Sequence, residues 1–177
     1  MQENGTRRVK GLLGLPVVDE DSGQEIGTVK SIVFDHRQGR LVGLVSGGKW
    51  FSRDRYLRLA RIRELGRHAV ILEGGPENGP EDEPVWAGRV DSPGGESSLE
   101  ADTAQLIGWK VLTGSGKALG TVEDILFDAQ TGRLEGMEIS RGLVQDFVDG
   151  RVTIPMPDVY TVGRDVVVIP EEIGKQV

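Results

Sequence analysis

The chain has 177 residues, a formal net charge of −7 and no cysteine. This length suits one ordinary domain or two small ones, and the absence of thiols excludes disulfides, thiol catalysis and thiolate metal sites. With 26 glycines and 37% hydrophobic residues, the composition favours short strands joined by tight turns over packed helices. No apolar run approaches the roughly 18 to 20 residues of a membrane-spanning helix, and the N-terminus has no apolar signal region. We therefore expect a cytoplasmic protein without a membrane span.

Charge is distributed unevenly along the chain. Residues 1–72 contain 13 Lys and Arg against 8 Asp and Glu, whereas residues 73–101 contain 1 against 8 and residues 102–177 contain 7 against 12. A basic part is therefore followed by an acidic segment and an acidic part. Such asymmetry indicates an anionic partner for the first part, electrostatic attraction between the basic and acidic domains, or no more than a solvated surface.

In chain order, the polar residues 1–8 are expected to be frayed, so that regular structure begins near Val9. Residues 11–18 form the first predicted strand, which ends in a polar turn closed by Gly23. Residues 106–112 have the same pattern and lead into a turn closed by Gly116. The same structural unit therefore begins twice.

The next stretch, Gly27–Gly43, reads GTVKSIVFDHRQGRLVG and returns at Gly120–Gly136 as GTVEDILFDAQTGRLEG, with ten of seventeen positions identical. Such similarity within one chain predicts two copies of one small domain. In the first copy Val29, Ile32 and Phe34 are not all spaced by two. We therefore predict a bulge between the first two, repeated in the second copy, that turns all three side chains inward. Strands bent in this way curl around small barrels.

The turn after this strand has the same key residues in both copies. Its first Asp can accept hydrogen bonds from backbone amides two or three residues later, and its Gly supplies the positive φ that closes a hairpin. The following Arg flanks the turn, where pairing with the Asp contributes little. We therefore assign a structural role to Asp35, Gly39 and Arg40 in the first copy and to Asp128, Gly132 and Arg133 in the second.

The copies diverge after the next strand. Four apolar residues of the second copy have helical spacing, which predicts a short helix stopped by Gly150. They are Leu143, Val144, Phe147 and Val148. The copies rejoin at a predicted two-residue turn, Gly66-Arg67 in the first copy, between two short strands. The continuous apolar run Val70–Leu72 then predicts a strand that is buried on both faces.

Residues 74–101, between the copies, are rich in Gly, Pro, Ser and acidic residues and have no hydrophobic periodicity, as is typical of linkers. Trp86 is the exception, and we expect it to pack on a domain or at the domain interface, with stacking on a ligand as the alternative. The predicted fold is therefore all-β: two small barrels in tandem, at residues 9–73 and 102–172, joined by this acidic linker, with a short helix in the second barrel.

The order G-x-x-x-G-T-V-x-x-I-x-F-D-x-x-x-G-R-L-x-G, with a later Gly-Arg turn, occurs in both copies. This order resembles the PRC-barrel domain, over about residues 9–73 and 102–172. The resemblance implies a β-barrel of about six strands per domain, no cofactor of its own, and roles in binding proteins or assemblies. The family also includes a reaction-centre subunit with a membrane helix and a ribosome maturation factor with a different N-terminal domain. This sequence matches neither of those additions, so neither role transfers.

The first copy contains an arginine run that the second copy lacks. We define the arginine wall as Arg53, Arg55, Arg58, Arg61 and Arg63, with the aromatic neighbours Trp50 and Tyr56. A guanidinium group binds carboxylates and phosphates through paired hydrogen bonds, and aromatic rings can stack on bases. Three interpretations are open: a solvated wall set against the acidic linker, a site for an acidic protein surface, and a site for RNA.

No residue pattern predicts catalysis. His36 and His68 lie outside any metal-ligand spacing, and the GSG at residues 114–116 lies in a predicted turn rather than before a helix, unlike a dinucleotide site. We therefore assign no catalytic, cofactor-binding or metal-binding residue and expect a non-enzymatic protein-binding adaptor or assembly module. An RNA- or ribosome-associated factor is the alternative, and exposed edge strands also permit a homo-oligomer.

Overall fold

The computed structural model describes residues 5–35, 38–48, 51–74, 100–102, 106–141, 152–155, 161–162 and 166–174, with the backbone alone at 51–53, 100–102 and 161–162. Its strands are β1 (Thr6–Arg8), β2 (Pro16–Asp19), β3 (Glu25–Asp35), β4 (Arg40–Gly48), β5 (Phe51–Arg58), β6 (Ile62–Leu65), β7 (Val70–Leu72), β8 (Glu100–Asp102), β9 (Lys110–Thr113), β10 (Ala118–Asp128), β11 (Leu134–Ser140), β12 (Val152–Pro155), β13 (Thr161–Val162) and β14 (Val166–Ile169). A 3-10 helix (Leu59–Arg61) connects β5 with β6, and a short α-helix, α1 (Glu171–Gly174), follows β14.

The chain divides into two units, each built on one sheet. The first barrel is Gly11–Asp102, and the second barrel is Met1–Lys10 together with Thr103–Val177. The sheet of the first barrel has the order β5-β4-β3-β2-β7-β6, with β8 beside β3. The sheet of the second barrel has the order β12-β11-β10-β9-β14-β13, with β1 beside β10. The equivalent strand orders confirm the prediction of two tandem all-β, barrel-like domains.

The long strands β3 and β10 bend where the sequence predicted a bulge. The pairing of β3 with β4 shifts register between Val29 and Ser31, and the pairing of β10 with β11 shifts between Val122 and Asp124. The three apolar side chains that the bend was expected to turn inward are at most 2% exposed in both copies. A second register shift, which we did not predict, follows near the end of each strand.

The core of each barrel is centred on this bent strand. Phe34 and Phe127 occupy the same position of the repeat, and both are fully buried. Further along the second barrel, α1 packs against β9: a methyl group on Gly174 would lie 2.5 Å from Cγ2 of Thr113. The helix predicted at residues 143–148 and Trp86 lie outside the described residues, so α1 is a separate element that we did not predict. Within the described part of the chain, no helix has both the length and the apolar character that crossing a membrane requires.

The segment before β2 is a turn rather than the predicted strand. Gly14 takes a positive φ of 79°, and its N–H donates a hydrogen bond to the carbonyl oxygen of Val29 at 2.8 Å. The strand therefore begins only at Pro16. Gly108 does the same in the second barrel, with a φ of 91° and a 2.7 Å hydrogen bond to the carbonyl oxygen of Val122.

Two predictions about β6 and β7 were also wrong. The connection between these strands spans residues 66–69, four residues instead of two. Val70 and Leu72 are fully buried but Ile71 is half-buried, so β7 turns only one face to the core. Strand β7 lies between β2 and β6, so it has a hydrogen-bonded neighbour on each edge. A strand inside a sheet in this way can still have only one face against the core.

The segments that directly precede the two repeats differ most from the prediction. Residues 6–8, which we expected to be frayed, form β1, and residues 100–101, which we placed in the linker, belong to β8. Each of these strands pairs with the barrel that does not follow it in sequence. The boundaries of the two units therefore cross the repeat boundaries.

Candidate functional site

The arginine wall lies on β5, the 3-10 helix and β6 of the first barrel. Arg58 is exposed and lies opposite Gly43 of β4, whereas Arg55 is half-buried and lies opposite Ser46. Because residues three apart in a strand point to opposite sides, these two arginines lie on different faces of β5. The side chains of Trp50 and Arg53, which we also assigned to the wall, lie outside the described part.

Two arginines of the wall make contacts within the first barrel. The guanidinium group of Arg61 donates hydrogen bonds to the carbonyl oxygens of Glu73, at 3.2 Å, and of Gly74. It therefore ties the 3-10 helix to the chain that leaves β7. Arg63 forms an ion pair with Glu20, 3.1 Å from Nε to Oε1, in which the arginine side chain is 61% exposed. At that exposure the pair adds little stability and keeps its guanidinium group accessible.

Tyr56 packs on the outer face of the same strand pair. Its hydroxyl group donates a 3.1 Å hydrogen bond to the carbonyl oxygen of Val42. Its ring covers Gly43, where a methyl group would approach ring atoms to 2.5 Å. The ring is thus held against β4 by packing and by a hydrogen bond.

The second barrel builds the equivalent strand without arginines. Arg58 pairs with Gly43, and Pro155 of β12 pairs with Gly136 at the same position of the repeat. By the same registers, Val152 takes the place of Arg55. The second barrel therefore forms this strand pair without a cation at these positions, and the arginines of β5 are particular to the first barrel.

The turn motif has the predicted geometry. Gly39 and Gly132 have positive φ values of 59° and 70°. The carboxylate of Asp35 accepts a 3.1 Å hydrogen bond from the N–H of Gln38. In the second barrel the Asp128 carboxylate accepts hydrogen bonds from the hydroxyl and N–H of Thr131, both at 2.7 Å. These hydrogen bonds, with a longer one from the N–H of Gln130 at 3.1 Å, hold the pKa of Asp128 below its usual range.

The flanking arginines take part in this turn through their backbone. Arg40 lies opposite Asp35 in the β3–β4 ladder, and the N–H of Asp128 donates to the carbonyl oxygen of Arg133 at 2.8 Å. The repeated turn residues close a hairpin in each barrel, as predicted, and nothing in this geometry indicates catalysis.

A second candidate site, which the sequence did not reveal, is the edge of β10 that holds β1. The two strands are antiparallel, with Thr6 opposite Asp128 and Arg8 opposite Leu126. Beyond the strand, the N–H of Val9 donates to the carbonyl oxygen of Ile125 at 3.0 Å. Val9 is fully buried. The N-terminal segment is therefore docked both by its backbone and by an apolar side chain.

The exposed face of this segment meets acidic side chains of the second barrel. Arg8 binds the carboxylate of Glu138 through Nη2, at 2.5 Å, and through Nε, at 3.2 and 3.3 Å. The Glu138 side chain is only 6% exposed, and Asp124, its partner across the β10–β11 ladder, is also buried. The Glu138 hydrogen bond and charge, with a smaller contribution from Asp124, raise the pKa of Arg8. One guanidinium group thus balances two neighbouring buried carboxylates.

Two further contacts extend this site along the segment. The hydroxyl group of Thr6 donates to Oε2 of Glu135 at 2.6 Å, and Nζ of Lys10 lies 2.6 Å from Oε1 of Glu123. The N–H of Lys10 also donates to Oδ1 of Asp124 at 3.1 Å. Every second residue of the segment therefore has an acidic partner, which fixes its register on β10.

The first barrel holds β8 in the equivalent place. Glu100 lies opposite Asp35, and Asp102 lies opposite Val33. These β3 residues correspond to Asp128 and Leu126 of β10, so the two docked strands have the same register. The sequence did contain a signal for these two strands. Polar residues alternate at Thr6, Arg8 and Lys10, and acidic residues alternate at Glu100 and Asp102. Both alternations lie at the same distance before the turn residues Gly14 and Gly108 of the repeat that follows. Alternation over three to five residues is too short to distinguish a strand from a polar terminus.

Neither histidine contributes to a site in the described residues. His68 is exposed in the turn before β7, and His36 lies outside that part. No group of three or more His, Asp or Glu side chains that could hold a metal ion occurs among the residues described. The chemistry visible in these barrels is hydrogen bonding and ion pairing.

The fold and these sites define a class of protein: a pair of small β-barrels that hold chain segments along the edges of their long strands and have charged outer faces. The model of the PRC-barrel domain matches residues 5–78 and 100–174, and the chain belongs to this family. PRC-barrel domains are not in general enzymes. No curated protein is significantly similar to the chain.

Proposed function

We propose that the protein is a non-enzymatic, cytoplasmic adaptor whose first barrel binds an acidic segment of a partner protein at the arginine wall. The observation that carries this proposal is the comparison of β5 with β12. The same strand is built once with Arg55 and Arg58 and once with Val152 and Pro155. The second barrel forms this strand without arginines, which makes the arginine side chains of β5 candidates for recognition.

The charge pattern around the wall favours a protein over RNA. Arg58 and Arg63 are exposed, but so are Asp54 and Glu64 on the same strands. Acidic side chains between the arginines repel phosphates, while a mixed protein surface can match both signs. One face of the Tyr56 ring is covered by Gly43, which reduces the ring surface on which a base could stack.

Site-specific photo-cross-linking in the native cell tests this proposal. A photoreactive amino acid replaces Arg58 in one variant and Arg40, an exposed arginine of the same barrel, in the control. We expect protein adducts from position 58 that position 40 does not give. RNA adducts at position 58 would support the RNA-associated alternative instead, and equal labelling at both positions would refute a specific site.

A binding measurement with a defined probe complements the cross-linking. A fluorescent polyglutamate peptide should bind the wild type with an affinity that falls with salt, and Arg55→Val with Arg58→Ser should weaken it by about tenfold. Arg40→Ser with Arg133→Ser removes the same charge from the two hairpin turns and should have little effect. Equal weakening by both pairs of substitutions would show a response to net charge alone.

A further inference from the structure

The two docking edges have the same backbone geometry but opposite charge. We define the acidic edge as β10 with Glu123, Asp124, Glu135 and Glu138. In the first barrel the corresponding residues are Lys30, Ser31, Val42 and Val45, a set with one cation and no acid. The strand on the acidic edge is basic, and the strand on the edge of β3 is acidic. The basic strand therefore complements the acidic edge, and the acidic strand lies on an edge that has no acid at the corresponding positions.

The alternative pairing within one chain would oppose like charges. Asp102 corresponds to Arg8 in the repeat and would stand beside the buried carboxylates of Glu138 and Asp124. Lys10 would then stand beside Lys30. Burying carboxylates together without a cation is strongly unfavourable. The acidic edge therefore selects a basic segment with residues spaced as Thr6, Arg8 and Lys10 are.

Each docked strand belongs by sequence to the other barrel. The segments that match the PRC-barrel model begin at residues 5 and 100, so each includes the strand directly before its own barrel. The structure places both strands in the opposite units. The second barrel thus receives β1 as a segment from another folding unit, and none of the hydrogen bonds that hold it depends on that segment being in the same chain.

We propose that the acidic edge is a docking site for a basic extended segment and that the N-terminal strand of a second copy fills it in trans, so that two chains exchange β1 reciprocally. A second copy has the same residues at the same spacing, and all the contacts seen within one chain are preserved. Exchange of an identical element is a low-cost route to a dimer. Connection through one chain favours docking in cis when the protein is dilute, so exchange increases with concentration.

Charge reversal in two complementary variants tests this exchange. The donor variant has Arg8→Glu and Lys10→Glu, and the acceptor variant has Glu138→Lys and Glu123→Lys. Alone, each variant opposes like charges at the acidic edge, both in cis and in trans. When the two variants are mixed, the basic strand of the acceptor variant can dock on the unchanged acidic edge of the donor variant. The acidic strand of the donor variant can dock on the reversed, basic edge of the acceptor variant.

We expect sedimentation to show monomers for each variant alone and a 1:1 dimer, of about twice 19.2 kDa, after mixing. A mixture that stays monomeric overturns the proposal. A chain with all four substitutions tests whether the reversed residues still allow folding and docking. Its acidic strand should dock in cis on its own basic edge and protect the amides of residues 126–128 from hydrogen exchange. Protection in that chain without dimers in the mixture would refute exchange in trans. The control is Lys117→Glu, an exposed reversal in the same barrel, which should leave the wild-type behaviour unchanged.

A peptide experiment tests the specificity of the edge. The donor variant docks its own N-terminal strand weakly, so its acidic edge is open to a fluorescent peptide of residues 1–12. We expect this peptide to bind the donor variant at least tenfold more tightly than it binds the donor variant with Glu138→Lys added. A scrambled peptide with the same charge should bind at least tenfold more weakly. Equal binding of both peptides would show attraction by charge alone and would contradict a site with a defined register.

Discussion

The close approach of β4 and β5 allows a prediction that compares two glycines at the same position of the repeat. A methyl group on Gly43 would lie 2.5 Å from the carbonyl oxygen of Leu57 and 2.5 Å from Cε2 of Tyr56. On Gly136 the nearest atoms, one of them also a carbonyl oxygen, would be 3.0 Å away. We therefore expect Gly43→Ala to destabilise its barrel more than Gly136→Ala does.

The magnitude follows from these distances. In Gly43→Ala the methyl group must displace both the backbone of β5 and the Tyr56 ring, and overpacking of this kind costs about 1–3 kcal/mol. Moving the ring also weakens its hydrogen bond to Val42, which is worth about 1 kcal/mol. Replacing Gly by Ala returns about 0.4–1 kcal/mol by restricting the unfolded chain. The net loss should be about 2 kcal/mol for Gly43→Ala and within about 1 kcal/mol of zero for Gly136→Ala.

Urea unfolding followed by circular dichroism measures both free energies of unfolding, and amide hydrogen exchange assigns each loss to a barrel. Tyr56→Thr, which introduces the residue of the second barrel, should recover about 1 kcal/mol in the Gly43→Ala background because it removes the ring but not the carbonyl clash. Equal losses for the two glycine variants, or no recovery with Tyr56→Thr, would refute the packing argument.

The remaining predictions concern a core ring, a turn carboxylate and a guanidinium contact. Phe127→Ala should destabilise the second barrel by about 3–5 kcal/mol, because the ring is fully buried, and hydrogen exchange should accelerate in residues 106–141 before residues 11–74. The Asp128 carboxylate has a lowered pKa, so it adds stability above pH of about 4 that is lost as pH falls through the folded-state pKa. Melting temperatures of the wild type and Asp128→Asn should therefore differ at neutral pH and converge in acid; a constant difference would contradict this. Arg61→Ala should cost the first barrel about 1 kcal/mol in urea unfolding through its lost hydrogen bonds, and unchanged stability would show that they contribute nothing.

Local features of the fold were predictable because neighbouring residues determine them. The irregular spacing of Val29 and Ile32 predicted the bulge, since a strand can turn both side chains inward only by inserting a residue between them. The turn between β3 and β4 was predictable for the same reason, because Asp35 and Gly39 supply its hydrogen-bond acceptor and its positive φ within five residues.

Pairings between distant segments were not predictable from the same patterns. The hydrogen bonds of β1 go to residues more than a hundred positions away, and a three-residue strand has no periodicity that stands out from a polar terminus. The wall was predicted only in part. The arginine count correctly indicated a difference between the copies, but not that Arg61 would bind backbone carbonyl oxygens or that Tyr56 would pack on Gly43.

The docking of β1 and β8 within the chain changes how charge is distributed between the two barrels. If each barrel kept the strand that precedes it, residues 1–74 would have a net charge of +4 and residues 100–177 a net charge of −6. With the strands exchanged, residues 11–74 with 100–102 have no net charge, and residues 1–10 with 103–177 have −2. Self-repulsion destabilises a compact unit as its net charge grows. Docking of each strand on the other barrel therefore lowers the net charge of both of these sets of residues at once.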